Sequence, residues 1–496
     1  MHSIQQIIEQ GKQALVLIPE INLTPQTIAR FKQRFALPIV ALHSSLNASS
    51  RLSAWLAARS GEAKIVIGTR SAIFTPMANL GLIIVDEEHD SSFKQQDTFR
   101  YHARDLAIWR ARDAGVPVVL GSATPSLETL QHSWAGRYRY FTLPERAGAA
   151  MLPHFRVVDL RGQFVEQGLS PALLQEMKKH LATGNQVLLF LNRRGFSPVL
   201  LCQSCAWMAL CKHCDARMTY HLRPPRLHCH YCEAQQKVPE KCENCGDQQF
   251  TTLGLGTQRL EEALQTQFPE FPLTRIDRDS TRRKGQMEER LAGIENGTYR
   301  ILIGTQMIAK GHHFPNVTLV GVIDSDAGLF SSDFRASERL GQVLIQVAGR
   351  AGRASKPGEV WIQTHYPDHP LIQQLKQGDY LTFAKTLLSE RQEAKLPPTA
   401  SWALLHAEAH RPHEVENFLQ EAKAIATALQ GPINTRGPIS ALMARRAGRH
   451  RMQLLFQAQE KKALQRFLRL FLARLETLST KLRIHWSLDV DPVEMG

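Results

Sequence analysis

The sequence predicts an α/β protein with two parallel-sheet lobes, a small cysteine-rich insert in the second lobe, and an α+β domain at the C-terminal end. Three observations predict it. Short apolar strands alternate with helical segments in residues 1–150, and again in 151–200 and 246–365, the pattern of a parallel sheet with helices on both faces. All eight cysteines lie between Cys202 and Cys245, in an insert of residues 201–245. From Ser401, within a C-terminal domain of residues 366–496, the order becomes strand, helix, strand, strand, helix, strand, the split βαβ arrangement. At 496 residues the chain is too long for one core. A hydrophobic share of 43% excludes global disorder. No apolar run approaches the ~20 residues of a membrane-spanning helix. Lys and Arg number 60 against 46 Asp and Glu, a net charge of +14 that points to a polyanionic partner, nucleic acid before a membrane surface. The N-terminus has no charged-then-apolar export signal, so the cytoplasm is the expected compartment.

In the first lobe, residues 4–10 have helical spacing and Gly11 is a stop. QALVLIPE (13–20) is a strand ending at Pro19 and Glu20. Helices around Thr27–Phe35 and Ser50–Ala58 alternate with strands at Pro38–Leu42, Lys64–Ile67, Leu82–Val85 and Val116–Leu120. The fourth of these five strands delivers Asp86, Glu87, Glu88 and His89 at its carboxyl end, where open α/β sheets bind ligands. An acidic pair there suits nucleotide chemistry. One carboxylate holds Mg²⁺ through water and the next orients or deprotonates the attacking water. A solvated acidic strand end is the plainer alternative. In residues 91–105, Phe93, Phe99 and Tyr101 alternate with Lys94, Arg100 and Arg104. Aromatic faces stack bases and cations hold phosphates, so this composition suits single-stranded DNA; a loop whose aromatics simply pack is the alternative.

The second lobe begins with FRVVDL (155–160), a helix near Pro171–Leu181 and the strand QVLLFLNRRG (186–195). After the insert come a helix in GLGTQRLEEAL (254–264), a strand at 273–276 and a charged segment, Asp277–Lys284. GTYRILIGTQMIAKGHHFPNV (297–317) echoes GEAKIVIGTRSA (61–72), a weak internal repeat that puts Thr69 and Thr305 at matching strand ends as candidate phosphate contacts. In QVAGRAGR (346–353), Gln346, Arg350 and Arg353 would share one face if the run is helical, and Gly349 and Gly352 would let that face approach a nucleotide. Arginines so placed stabilise charge on a transferring phosphoryl group.

The cysteines form four Cys-x-x-Cys pairs: Cys202/Cys205, Cys211/Cys214, Cys229/Cys232 and Cys242/Cys245. Two such turns complete a closed S₄ set around zinc, so eight thiolates suit two structural ions. The expected sets are Cys202, Cys205, Cys242 and Cys245 for one, and Cys211, Cys214, Cys229 and Cys232 for the other. The spacers hold too little apolar material for a core, so metal binding must supply the folding free energy. A disulfide scaffold would need an oxidising compartment. His213, His228 and His230 are expected beside the sites rather than as ligands.

Together these strings carry a specific resemblance. LIPEINLTPQ (17–26), GTRSA (68–72), DEEHD (86–90) and GSATPS (121–126) resemble motifs Ia, Ib, II and III of superfamily 2 helicases. QVLLFLNRRG resembles motif IV, residues 297–317 motif V, and QVAGRAGR motif VI. SSFKQQDTFRYHARD (91–105) is similar to the aromatic-rich loop of the PriA family of primosomal helicases. The resemblance implies two RecA-like lobes and an ATP-dependent 3′–5′ DNA helicase that acts at stalled forks and loads the primosome. It implies Mg²⁺ and water-activating roles for Asp86 and Glu87, γ-phosphate sensing by Arg350 and Arg353, and nucleotide contacts from Gln346 and Gly311. Thr69, Arg70, Phe93, Phe99, Tyr101 and Thr305 would face DNA. The zinc insert would bind primosome proteins or act as a wedge at the duplex junction. The arginine-rich string ARRAGRHR (444–451) would take DNA or the acidic tail of single-strand binding protein. A monomer is expected.

One departure stands out. No Gly-x-x-x-x-Gly-Lys-[Ser/Thr] occurs in the 496 residues. In the family that phosphate loop precedes the helix that here begins near Ile4. The expectation is a chain truncated at its N-terminus, without the DNA-binding region or motif I. It would lack the first strand of the lobe, leaving a central neighbour missing from the sheet, and would be impaired in ATP hydrolysis. A non-catalytic DNA- and protein-binding remnant is the competing reading.

Overall fold

The structure, a computed structural model, describes residues 1–20, 25–143, 153–163, 165–191, 199–202, 204–205, 207–213, 218–222, 225–229, 234–253, 257–277, 285–305, 308, 314–323, 325–329, 333–351, 358–479 and 484–494. Two units divide it, Met1–Thr142 and a second unit that includes residues 143–308 and 314–496. Among the described residues no helix is long and apolar enough to cross a membrane.

In the first unit, β1 (Gln13–Leu17), β2 (Ile39–Leu42), β3 (Ile65–Gly68), β4 (Leu80–Asp86) and β5 (Val118–Gly121) form a parallel sheet in the order β2-β3-β1-β4-β5. Successive side chains point to opposite faces, and both faces are covered. Leu15, Leu17, Val66, Ile83 and Val85 pack against alanines of the helices Ala48–Ser60 and Ala103–Asp113. Ala14, Val16, Ile65, Ile67 and Leu82 pack against Ile4, Phe31 and Phe35. This is why β1 after Gln13 and β3 are continuous apolar runs rather than alternating ones. Helix Ala48–Ser60 starts where Asn47 Oδ1 accepts the Ser50 N–H at 2.8 Å and stops at Gly61. The expected central vacancy is corrected: every neighbouring pair in the sheet is hydrogen-bonded, because β1 fills the middle between β3 and β4.

The second lobe opens with β6 (His154–Asp159) and β7 (Gln186–Leu191). The insert follows as β8 (Val199–Cys202), β9 (Thr219–Leu222), β10 (Pro225–His228), β11 (Gln235–Gln236) and β12 (Phe250–Leu253), an antiparallel sheet in the order β11-β10-β9-β8-β12. The lobe resumes with β13 (Leu273–Ile276), β14 (Ile301–Gly304), β15 (Val317–Ile323) and β16 (Glu359–Thr364), giving a parallel sheet β13-β14-β7-β15-β16-β6. The first five of these positions repeat the first lobe, with β7 standing where β1 stands and β14 where β3 stands. The sequence echo is therefore structural. Gly68 and Gly304 end equivalent strands, and a Cβ on either would come within 2.3 Å of Ala72 or 2.5 Å of Ile308, four residues on. β15 (VTLVGVI), buried at all seven positions, is a strand that the sequence reading did not mark, although its apolar run is the ordinary sign of one.

The C-terminal domain has β17 (Ser401–Ala409), β18 (Asn434–Arg446), β19 (Arg449–Ala458) and β20 (His485–Val490) in the antiparallel order β18-β19-β17-β20. Helices Pro412–Ala428 and Lys461–Ser479 pack on one face, around Leu405, Phe418, Phe456 and Phe471. The opposite face sets Trp402, Leu404 and Leu455 against Phe334 and Leu396.

Candidate functional site

β4 ends at Asp86, so the DEEHD run leaves the sheet at the carboxyl end of its strand. Its side chains divide into two groups. Asp86 is exposed, and the Glu87 amide donates to its Oδ1 at 3.1 Å. Although the residue keeps exposed surface, the protein around its carboxyl partly desolvates it and raises its pKa, while that amide works the other way. Glu87 sits in left-handed backbone at φ 47°, and its Oε2 lies 3.6 Å from His89 Nδ1. The same His89 nitrogen meets Ser122 Oγ at 2.7 Å, which joins the acidic run to GSATPS.

Glu88 turns inward instead. It is 1% exposed and accepts from the Ser126 amide at 2.7 Å, the Ser126 hydroxyl at 3.0 Å, the Thr129 hydroxyl at 2.9 Å and Arg104 Nη1 at 3.1 Å. Arg104 is buried too and also donates to Ser126 Oγ at 2.7 Å. Breaking a buried pair of this kind by removing one partner costs about 3–5 kcal/mol. Glu88 thus fixes the turn that presents Asp86 and Glu87. Sequence reading gave it no role, because its partners lie 16 to 41 residues away.

The aromatic segment also divides. Phe93 is fully buried in the lobe core, so its expected stacking on DNA is corrected: it packs with Ala103 and Ala107 beneath the loop. Lys94 is buried as well. Phe99 is 69% exposed and stacks on Tyr101, with centroids 5.7 Å apart and planes at 29°. Tyr101 meets the edge of Phe74 at 4.9 Å, and Phe74 is 54% exposed. Three rings therefore form one ladder, and sequence reading missed Phe74, the residue just after GTRSAI. Arg70 donates to the carbonyls of Ser92 at 3.1 Å and Lys94 at 2.9 Å, so it holds the loop's base. Thr69 is buried at the head of the short helix Arg70–Phe74, and Thr305 is half-buried just after β14.

In the insert, the Sγ atoms of Cys202, Cys205, Cys242 and Cys245 all lie within 4.8 Å of one another. Cys202 and Cys245 are 3.6 Å apart, as are Cys205 and Cys242. Zinc–sulfur bonds of ~2.3 Å place tetrahedral sulfurs ~3.8 Å apart, so the set fits a closed zinc site. Hydrogen bonds from the Asn244 side chain and the Trp207 amide push the Cys205 thiol down to about 6, while hydrogen bonding to Cys205 and burial push Cys245 up to about 12, so the crowded sulfurs share protons that a bound metal would displace. Of the second expected set, Cys211 and Cys229 are buried in one apolar cluster, and Cys214 and Cys232 lie outside the described residues. So does His230, while His228 is buried and the His213 carbonyl accepts the Gly448 amide at 2.7 Å. The expectation of an insert without a core is corrected. Leu200, Ala209, Met218 and Leu227 cluster with those two cysteines and with Met443, which arrives from β18.

Gln346 lies in helix Ala336–Ala348, but the helix stops before Arg350. The Arg350 amide donates to Val347 O at 2.9 Å and the Ala351 amide to Ala348 O at 3.0 Å, a tighter turn. The helical face expected from Gln346 thus runs to Arg350 only through this tightened last turn. Arg353, Gly352 and Gly311 lie outside the described residues. The start of this helix is fastened to the C-terminal domain. Glu338 accepts from Arg391 at 2.7 Å, and the Phe334 ring has the guanidinium carbons of Arg335 and Arg391 at 5.0 Å and 5.2 Å from its centre and Trp402 at 5.3 Å. The basic hairpin is less free than its sequence suggests, since Glu408 draws in Arg449 at 3.3 Å and Arg451 at 3.9 Å.

Family models match along the chain: DEAD/DEAH box helicase over residues 1–133, PriA DNA helicase Cys-rich region domain over 211–237, helicase conserved C-terminal domain over 247–355, and primosomal protein N C-terminal domain over 392–493. Replication restart protein PriA of Haemophilus influenzae is 52% identical over 496 residues, covering 99% of this chain and 67% of that protein. The protein of that name in Bacillus subtilis is 40% identical over 502 residues, with 100% and 62% covered. The one in Rickettsia conorii is 38% identical over 494 residues, with 99% and 76% covered. The chain thus spans 62% to 76% of the length of these relatives. Matched along its whole length and at this identity, the chain belongs to the replication restart protein PriA family.

Proposed function

We propose that the chain belongs to an ATP-dependent 3′–5′ DNA helicase of replication restart, which recognises stalled forks and initiates primosome assembly, and that these 496 residues by themselves are impaired in ATP hydrolysis. The observation that carries this reading is the motif II turn, where the Glu88 network holds an exposed Asp86 beside Glu87 at the end of β4. An exposed carboxylate at a strand end fits Mg²⁺, which keeps most of its water. Glu87, within reach of His89, would orient the attacking water. Arg350 and Arg353 would sense the γ-phosphate, with Gln346 and Gly311 completing the nucleotide contacts. The Phe74–Tyr101–Phe99 ladder would stack single-stranded bases, and Thr69, Arg70 and Thr305 would steer the phosphates. The two zinc centres would hold a wedge or a docking face for primosome proteins, and single-strand binding protein would meet the C-terminal hairpin. The domain limits given above are proposed with the same functional divisions.

The sequence also favours a second reading. No Gly-x-x-x-x-Gly-Lys-[Ser/Thr] string occurs in the 496 residues, so this polypeptide would bind DNA and hydrolyse ATP weakly or not at all. One experiment separates the two: ATP turnover of the 496-residue chain with and without single-stranded DNA, alongside DNA binding across a salt series. Binding that weakens steeply with salt, and by about 1–3 kcal/mol in Phe99→Ala, is expected with turnover near background. Measurable DNA-stimulated turnover would refute the impairment. A flat salt dependence would contradict phosphate-led binding.

A further inference from the structure

Away from the cysteines and the motif II turn, another group of metal-ligating side chains converges on the second lobe. Glu176 and His180 stand one turn apart on helix Pro171–Ala182, and Glu359 is the first residue of β16. One ligand atom from each lies within 4.8 Å of the other two. His180 Nε2 is 3.7 Å from Glu176 Oε1. Metal bonds of ~2.1 Å to nitrogen and oxygen give tetrahedral edges of ~3.4 Å, so the His180–Glu176 edge is within a few tenths of an ångström of a metal site and Glu359 is within side-chain reach of it.

The surroundings orient the ligands. Thr318 Oγ1 sits 2.7 Å from His180 Nδ1, which turns Nε2 toward the carboxylates, the task outer hydrogen bonds perform in metal centres. Trp361 Nε1 donates to Glu359 Oε2 at 2.8 Å and fixes that carboxylate. The three side chains are 13%, 15% and 25% exposed, which leaves a water-facing position. Two cations compete for the carboxylates: Lys179 Nζ is 2.7 Å from Glu176 Oε2, and Arg156 Nε is 3.6 Å from Glu359 Oε2. Both are more than half exposed, at 62% and 52%, and can swing aside.

We propose that Glu176, His180 and Glu359 form a further divalent-cation site, weaker than the thiolate centres, for a borderline transition metal of the zinc class. One nitrogen and two oxygens with no sulfur suit Zn²⁺, Co²⁺ or Mn²⁺; Mg²⁺ prefers oxygen alone and holds its water. Thr318 and Glu359 stand at the amino ends of β15 and β16, whereas Thr305 follows the carboxyl end of β14. An ion here would therefore clamp helix Pro171–Ala182 to β16 at the amino ends of the strands, the end of the sheet opposite Thr305.

The test uses the full chain with its cysteine centres loaded with zinc, titrated with Co²⁺. Cobalt held by nitrogen and oxygen shows weak ligand-field absorption without the intense thiolate charge-transfer band of cysteine-bound cobalt. One saturable equivalent with that spectrum is expected. Its affinity should fall by at least ~10-fold in His180→Ala and Glu359→Gln, and by about 10-fold in Thr318→Val, with zinc content and circular dichroism unchanged. Should His180→Ala fail to fold, Glu359→Gln keeps the side-chain shape and carries the test. No saturable binding, binding with thiolate character, or an affinity that Glu359→Gln leaves intact would overturn the site.

Discussion

The cysteine insert and the C-terminal domain are both antiparallel sheets in the same unit, yet they are held together by different means. The C-terminal domain covers one sheet face with two helices and buries Phe418, Phe456 and Phe471 completely. Each such ring contributes roughly 1.5–3 kcal/mol by burial. The insert has strands of two to four residues, and its small apolar cluster includes two cysteines and one methionine from elsewhere. Burial on that scale does not offset the entropy of ordering its loops, and thiolate–metal bonds must make up the difference. Where a core is large, sequence spacing alone stabilises a fold. Where it is small, stability comes from a ligand and from a neighbour.

Metal removal should produce the largest effect. Zinc sites of this type contribute about 10–16 kcal/mol in isolated finger peptides at neutral pH. A strong chelator should therefore abolish amide protection in β8–β12 while β17, β19 and their helices stay protected, as read by hydrogen exchange. Loss of protection in both sheets together would break the contrast. Next, Phe456→Ala, which removes a ring in contact with Phe467 and Phe471, should destabilise the C-terminal domain by about 3–5 kcal/mol and leave zinc content unchanged, as read by denaturant titration and metal analysis. Met443→Ala should cost about 2 kcal/mol, and it should lower protection in the insert although the mutated strand belongs to the other sheet. An effect confined to β18 would show that the insert stands without its neighbour.

The smallest effect sharpens the picture at the approach to the domain. Asp379 caps helix Tyr380–Glu393, accepting from the Thr382 hydroxyl and from the amides of Leu381 and Thr382. These bonds, the hydroxyl's first, hold its carboxyl below the usual range. Asp379→Ala should cost about 1 kcal/mol. A depressed carboxylate contributes stability above its unfolded pKa and loses it as pH falls through the folded value. The difference between wild type and variant should thus be full at neutral pH and fade below about pH 4, as followed by thermal melts. A difference that persisted undiminished into acid would exclude the charged cap as its source.

Much of this was legible from residues alone. ALVL and LIIV are unbroken apolar runs and became inner strands of the first sheet. The order from Ser401 onward became the C-terminal sheet element by element. The Cys-x-x-Cys spacing announced zinc, and one complete S₄ set converges. VTLVGVI carried an equally plain sign and went unread. The aromatic loop was legible in composition but not in direction, since Phe93 and Phe99 look alike in sequence and only one of them reaches solvent.

By itself the sequence determined what depends on near neighbours: apolar period, helix stops, the two-thiolate turn, and the acidic pair that a strand end presents. Only the tertiary structure decided which distant groups meet. It turned Glu88 into an anchor for Arg104 and Ser126, joined Phe74 to Tyr101, tied Arg449 and Arg451 to Glu408, and brought Met443 under the insert. The physical reason is range. Local preferences act over one or two turns of chain, whereas burial and ion pairing reward contacts between residues that the sequence separates and only packing brings together.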